Sequence, residues 1–342
     1  MYRSTKNVNL GFENKNETAR ENGFEYSDVL RNGFSDIPST DLVSTNIDSE
    51  SLDGDSKCKN KSKNVNFKGI EILNNHRLLL RRDQVPVHLQ FNPYVIQGYR
   101  PILTTWGCLQ SLFYLHNETI NIFTHALALV YALIWLPYLL PWDQIQIPIL
   151  PYCHAVATFA PWLGSSTYHL FMNHEGGSKT YVKLLQWDMI GIWVTQTCGA
   201  FTTLYAGMAC LPLFIRYGVM FVYLLFSVKA LCAATFASSA WQRRISFLYL
   251  LLMRLAVLCV RLTKFGGGHP QALVHVAMQD LWSVIGAVIS ATQIPERWLP
   301  GKFDMAFNSH NIMHALVVLG SMHMHWAAEK DFIWLSEEIC NP

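Results

Sequence analysis

Between residues 120 and 330 this chain is a succession of apolar stretches, each long enough to cross a bilayer. A spanning helix needs about 20 mostly apolar residues at a rise of 1.5 Å each. Seven spans are expected, near 121–141, 149–171, 184–205, 211–236, 245–262, 272–294 and 308–327. Pro137, Pro161 and Pro212 interrupt the apolar runs, which bilayer helices tolerate better than soluble ones. Trp142, Trp187, Trp241, Trp298 and Trp326 fall near the span ends, where an aromatic belt is expected. The expected fold class is all-α: a polytopic membrane protein with seven transmembrane helices.

Charged residues make up 15% of the chain, against about a quarter in soluble proteins. Residues 1–75 are rich in Asn, Ser, Asp and Lys without apolar periodicity. Such a segment buries too little apolar surface to offset chain entropy, and a disordered tail is expected there. Residues 76–120 read as a membrane-interface segment, with a short amphipathic helix over 106–119. Residues 121–330 form the transmembrane domain, and 331–342 a short tail on the luminal or extracellular side. A net charge of +2 with no basic stripe argues against a nucleic-acid partner. The eight Cys show no CxxC spacing and read mostly as unpaired packing thiols. MYRSTKNVNLGFENKNETAR has no apolar signal core, so an internal span is expected to direct insertion into the bilayer.

Lys and Arg near the spans set the orientation. With the N-terminus cytosolic, that side receives ten: Arg77, Arg81, Arg82, Arg100, Lys179, Lys183, Arg243, Arg244, Arg297 and Lys302. The other side receives three, Arg261, Lys264 and Lys330. The glycosylation-like triplets at Asn16, Asn60 and Asn117 then all lie on the cytosolic side and are not expected to carry glycan.

Polar side chains inside spans are costly and mark function. Ser165 and His169 end the second span, Asp188 lies near the start of the third, and His310 and His314 open the seventh. In the N-in topology these positions share one depth in the cytosolic leaflet. His310 and His314, four residues apart, project from one helical face. His169 supplies a third imidazole, and three His with an open fourth position is the ligand set of catalytic Zn2+. Asp188 is then placed to orient a water or take its proton, and Ser165 to hydrogen-bond substrate or water. His325 lies 11 residues beyond His314, about 16 Å deeper at the helical rise, and cannot share the ion. His323 lies in that far region too, and His116, His125 and His154 read as packing or interfacial groups. Lys229 and Arg254 lie within spans, and Arg254 is expected to pair with an acid or with carbonyls.

GYRP (98–101), NETINIFTH (117–125), SSTYH (165–169), WDMIGI (187–192) and IPERWLPGKFDMAFNSHNIMH (294–314) resemble the progestin and adipoQ receptor family. The resemblance covers about residues 85–330, with Phe123 standing in NIFTH where the family usually has Trp. It implies a seven-helix core similar to that of alkaline ceramidases, with zinc held by three His beside an Asp and a Ser. His169, His310 and His314 match the ligands, Asp188 the acid and Ser165 the serine. It further implies an N-in topology, a ceramide-like membrane lipid as substrate and, for one subgroup, a Golgi membrane. Two readings stand: a zinc-dependent ceramidase-type amide hydrolase, or a non-catalytic receptor or Golgi scaffold with structural zinc. In either, the tail could bind a protein partner. Protease added to sealed vesicles with the cytosolic face outward should remove residues 1–75 and spare the tail after Ala327. Protection of 1–75 would overturn the orientation.

Overall fold

Large apolar side chains point outward along the helices of this molecule, where water would penalise them and lipid does not. Leu127, Leu133, Ile134 and Trp135 do so in one helix, and Phe214, Phe221 and Leu225 in another. The computed structural model describes residues 79–337, all within the compact unit Lys59–Pro342. The tail expected over 1–75 lies outside the described residues.

The helices are α1 (Thr105–Gln110), α2 (Thr119–Leu139), α3 (Ile149–Phe171), α4 (Gly177–Val194), α5 (Ala200–Gly207), α6 (Leu213–Thr235), α7 (Ala240–Ser246), α8 (Leu248–Arg261), α9 (Ala272–Thr292) and α10 (Ser309–Ser336). Among the described residues no strand forms, only two isolated bridges. By length and composition, α2, α6 and α9 are each apolar enough to cross a membrane. The other expected spans are also helical, with shifted bounds.

The third stretch starts at Gly177 rather than 184, because Lys179 and Lys183 interrupt the apolar run but not helix propensity. A π-helical turn, Thr195–Gly199, joins α4 to α5. In the fifth, α7 precedes α8, and Ser239 caps α7 by accepting from Gln242 N at 3.2 Å. The last helix continues past 327 to Ser336. The amphipathic helix expected over 106–119 is confined to α1, followed by a 3₁₀ turn, Ser111–Phe113. The chain then turns sharply: His116 N donates to Thr119 Oγ1 (2.9 Å) and Glu118 N to His116 Nδ1 (3.1 Å).

Two apolar clusters order the ends of the helices. Leu136 of α2 and Leu140 just after it pack with Leu150 of α3 and with Ala328 and Phe332 of α10. The C-terminal parts of α2 and α10 therefore share one end of the bundle. At the other end, Tyr168 and Met172 pack with Tyr181, Leu185 and Met189 of α4. Val85, Leu89, Val95 and Tyr99 from the N-terminal segment complete that cluster.

Polar bonds fasten this segment over the same end. Asp304 accepts from Ile96 N (3.0 Å) and Gln97 N (2.9 Å), and Glu296 from Asn92 Nδ2 (3.1 Å) and Ser309 N (2.7 Å). Arg100, fully buried, donates to the carbonyls of His169 (2.6 Å) and Leu170 (2.9 Å) and to Ser111 Oγ (2.8 Å). It thus caps the C-terminus of α3, where orphan carbonyls and the helix dipole favour a cation.

Two buried arginines of the bundle are paired with acids. Arg254 meets Asp280 at 2.7 Å, and Arg261 meets Asp331. Lys229 lies 5.2 Å from the centroid of the Tyr249 ring. Most of the described cysteines are unpaired, as expected: Cys108, Cys153, Cys198, Cys232 and Cys259 are free thiols, whereas Cys210 is disulfide-bonded.

Helices α3 and α4 cross closely at two glycines. A Cβ on Gly191 would lie 2.7 Å from Ala160 O, and one on Gly164 would lie 2.9 Å from Trp187 O. Both obstacles are backbone and cannot rotate away. Gly191→Ala should therefore destabilise the detergent-solubilised protein by about 1–3 kcal/mol, the usual cost of overpacking. Gly218→Ala, with nothing within 4 Å, should be neutral or stabilising by up to about 1 kcal/mol. Equal thermal shifts for the two variants would refute the close-crossing account.

Candidate metal centre

The three histidines singled out by spacing and depth come together from two helices. His169 lies in the last turn of α3, while His310 and His314 lie in the first two turns of α10. Asn308 starts α10 at the required place: its side chain accepts from His310 N (3.1 Å) and Asn311 N (3.0 Å). The potential ligand atoms of His169, His310 and His314 all lie within 4.8 Å of one another. His169 Nε2 and His310 Nε2 are 3.3 Å apart. The rings of His310 and His314 lie 4.7 Å apart and those of His169 and His314 4.9 Å apart, measured between centroids. His169 and His314 are almost completely buried.

This cluster could hold one metal ion. Its donors are imidazoles without a hard oxygen among them, a set suited to zinc, copper, nickel or iron rather than to magnesium or calcium. The feature that fits an ion is the approach of three ring nitrogens to one point; the other histidines of the bundle meet only in pairs.

Ser165 and Asp188 flank the cluster without touching it. Ser165 is buried one turn before His169. Asp188 lies on α4 where that helix crosses α3 at Gly164. Among the described residues neither side chain is hydrogen-bonded to any of the three histidines. Carboxylate and hydroxyl thus border the centre from α4 and α3.

The residues that touch the cluster come from α2 and from Glu118, its N-cap, which the sequence reading did not draw on for the site. Glu118 Oε2 lies 2.8 Å from His169 Nδ1 and accepts from Asn121 Nδ2 at 2.7 Å. Asn311 Nδ2, on α10, donates to Asn121 Oδ1 at 2.6 Å. Thr124 Oγ1 is 3.2 Å from His314 Nδ1. The His125 ring stacks on that of His314, with 3.8 Å between centroids and 6° between planes. A signal was available: Glu118, Asn121, Thr124 and His125 repeat at helical spacing in an otherwise apolar stretch.

The other histidines are partnered too. His325 Nδ1 lies 3.0 Å from His154 Nε2, and His323 Nδ1 lies 3.0 Å from His275 Nδ1. His154 therefore has a definite partner rather than a generic packing role, and His325 belongs to a separate pair. Asn117 is buried, its backbone N bonded to Gly98 O at 2.8 Å. That burial by itself bars a glycan from this triplet; Asn16 and Asn60 lie outside the described residues.

A family model described as "Haemolysin-III related" matches residues 113–325, a range that contains the whole cluster and its α2 neighbours. The chain is 40% identical over 256 residues to "Progestin and adipoQ receptor family member 4" of Homo sapiens, a match covering 75% of this chain and 93% of that protein. It is 29% identical over 280 residues to "ADIPOR-like receptor IZH1" of Eremothecium gossypii, covering 76% and 86% of the two chains. It is 30% identical over 185 residues to "Heptahelical transmembrane protein 4" of Arabidopsis thaliana, covering 52% and 47%. With its lipid-facing helices and buried polar centre, the chain belongs to the haemolysin-III-related, progestin and adipoQ receptor family of integral, multi-pass membrane proteins.

Proposed function

We propose that this protein is a seven-span, zinc-dependent intramembrane amide hydrolase acting on ceramide-like lipids, with its N-terminus in the cytosol and its place in a Golgi membrane. One observation carries the reading: three imidazoles converge inside a lipid-facing bundle, with a carboxylate and a hydroxyl on the same border. His169, His310 and His314 would hold the ion. Zinc bound there supplies Lewis acidity, which polarises a carbonyl and acidifies water. Asp188, on α4 beside the end of α3, would take a proton from water and return it to the leaving amine. Ser165, one turn from His169, would donate a hydrogen bond to the polar part of the lipid. The products would be a fatty acid and a sphingoid base.

The disulfide at Cys210 supports the orientation. Cys210 follows the end of α5 remote from the histidine layer, and disulfides persist on the oxidising side of a membrane. The histidine end then faces the cytosol. A second reading is favoured by the relatives named as receptors. In it the ion is structural, and joins α3 to α10 without turnover.

Purified protein separates the two. His310→Ala and His314→Ala should each lower Zn2+ affinity by more than the 10–100-fold typical of lost ligand-supporting groups. His323→Ala and His325→Ala should keep wild-type metal content. Asp188→Asn should retain zinc and lose ceramide hydrolysis, because an amide cannot accept the proton. Hydrolysis that survives His169→Ala would end the hydrolase reading. Zinc bound without detectable hydrolysis would favour the structural one.

A further inference from the structure

Helix α2 offers no ligand to the histidine cluster, yet it touches two of the three rings through the nitrogen that faces away from the centre. A neutral imidazole carries one proton on either Nδ1 or Nε2, and only the bare nitrogen can bind a metal. In free solution the protein would have to select the right form at each ring. The contacts from α2 make that selection beforehand.

At His314 the argument rests on donor accounting. The Thr124 hydroxyl has a single hydrogen, which is engaged by Ile120 O at 2.7 Å. Toward His314 Nδ1, at 3.2 Å, Thr124 can therefore only accept. The proton must be on Nδ1, and Nε2 is left bare. At His169 the partner is Glu118 Oε2, 2.8 Å from Nδ1. That same oxygen already accepts from Asn121 Nδ2, and Asn121 in turn accepts from Asn311 Nδ2. Every donor in this chain points toward the carboxylate, so His169 donates as well, and its Nε2 faces His310 Nε2 with a lone pair. His310 has a different surrounding: it borders a water-sized cavity of about 20 Å3 together with Glu118, Asn121 and Asn308.

We propose that Glu118 and Thr124 are positioning residues that lock the protons of His169 and His314 on Nδ1 and so present both Nε2 atoms to a divalent transition metal. The proposal rests on the metal-binding half of the function above and assigns α2 the role of supporting element. Carboxylate or hydroxyl contacts of this kind fix ring orientation and raise ligand basicity at metal sites generally. Here they also couple the first two turns of α2 to both ligand-bearing helices, so a displacement of α2 would disturb the ligand set.

The test reads tautomers in metal-free protein and affinity separately. Long-range 1H–15N spectra of histidine-labelled protein in detergent at pH 8 should show His169 and His314 as Nδ1–H forms. Thr124→Val, which keeps the shape of the side chain, should mix the His314 tautomers and weaken Zn2+ binding by about 10–100-fold. Thr124→Ser should restore both. Glu118→Gln keeps an acceptor opposite Nδ1, so the His169 tautomer should persist while affinity falls by about 10-fold. Nε2–H forms in the wild-type protein would overturn the proposal, as would Thr124→Val binding Zn2+ within twofold of wild type. Wild-type protein that shows the Nδ1–H forms but takes up no zinc would sink the functional reading and leave the tautomer assignment standing.

Discussion

The buried carboxylate of Glu118 is the interaction on which this end of the bundle depends. It sits at the start of α2, touches His169 of α3, and reaches α10 through Asn121 and Asn311. An isolated carboxylate in so dry a place would be prohibitively costly, and it persists because its oxygens are met by donors from these helices. Arg100 adds the balancing positive charge nearby, held on the carbonyls that end α3. Neither group contributes a ligand to the cluster. Together they fix where α3 ends relative to where α2 and α10 begin, and that sets the separation of the imidazoles.

The rest of the bundle follows a complementary rule. Lipid offers no hydrogen bonds and no penalty for apolar exposure, so helices pack by close approach and by satisfying the few polar groups they carry. The crossing of α3 and α4 at Gly164 and Gly191 is the close approach that brings Asp188 up to the histidine layer. Farther along, the π-helical turn lets Gln196 meet Arg254, whose main partner is Asp280. This second polar cluster holds the π-helical turn, α8 and α9 together without any part in the centre. The N-terminal segment closes the histidine end, fastened through Asp304 and Glu296, and Glu296 also binds the first residue of α10. The N-terminal segment and the helix that carries His310 and His314 are thereby one mechanical piece.

Much of the candidate site was legible before any coordinates. His310 and His314 are marked by their spacing, and His169 by its depth once a topology is drawn. What depth could not supply is lateral position, since one level of a bundle includes residues on opposite sides of it. The bundle brings the three imidazoles within reach of one another, and leaves Ser165 and Asp188 adjacent but unbonded to them. Glu118 and Thr124 passed unnoticed for a physical reason. They lie at the start of an apolar run, where polar residues read as a helix cap or an interface, and only the packing of α2 against α3 and α10 turns them inward. The pairing of His154 with His325 and of His275 with His323 was hidden in the same way, because each pair joins residues far apart in the chain.

The sequence by itself determined that this chain is helical and membrane-embedded, because runs of apolar residues of that length have no other stable home. It also determined which imidazoles could share a face, because helical spacing is local. Tertiary structure alone decided helix limits such as the early start of α4 and the extension of α10, which depend on neighbours rather than on hydropathy. It alone decided which nitrogens of the histidines face inward, because that choice is made by hydrogen bonds from a third helix. Local pattern specifies what each segment can do, and long-range packing selects which of those options is used.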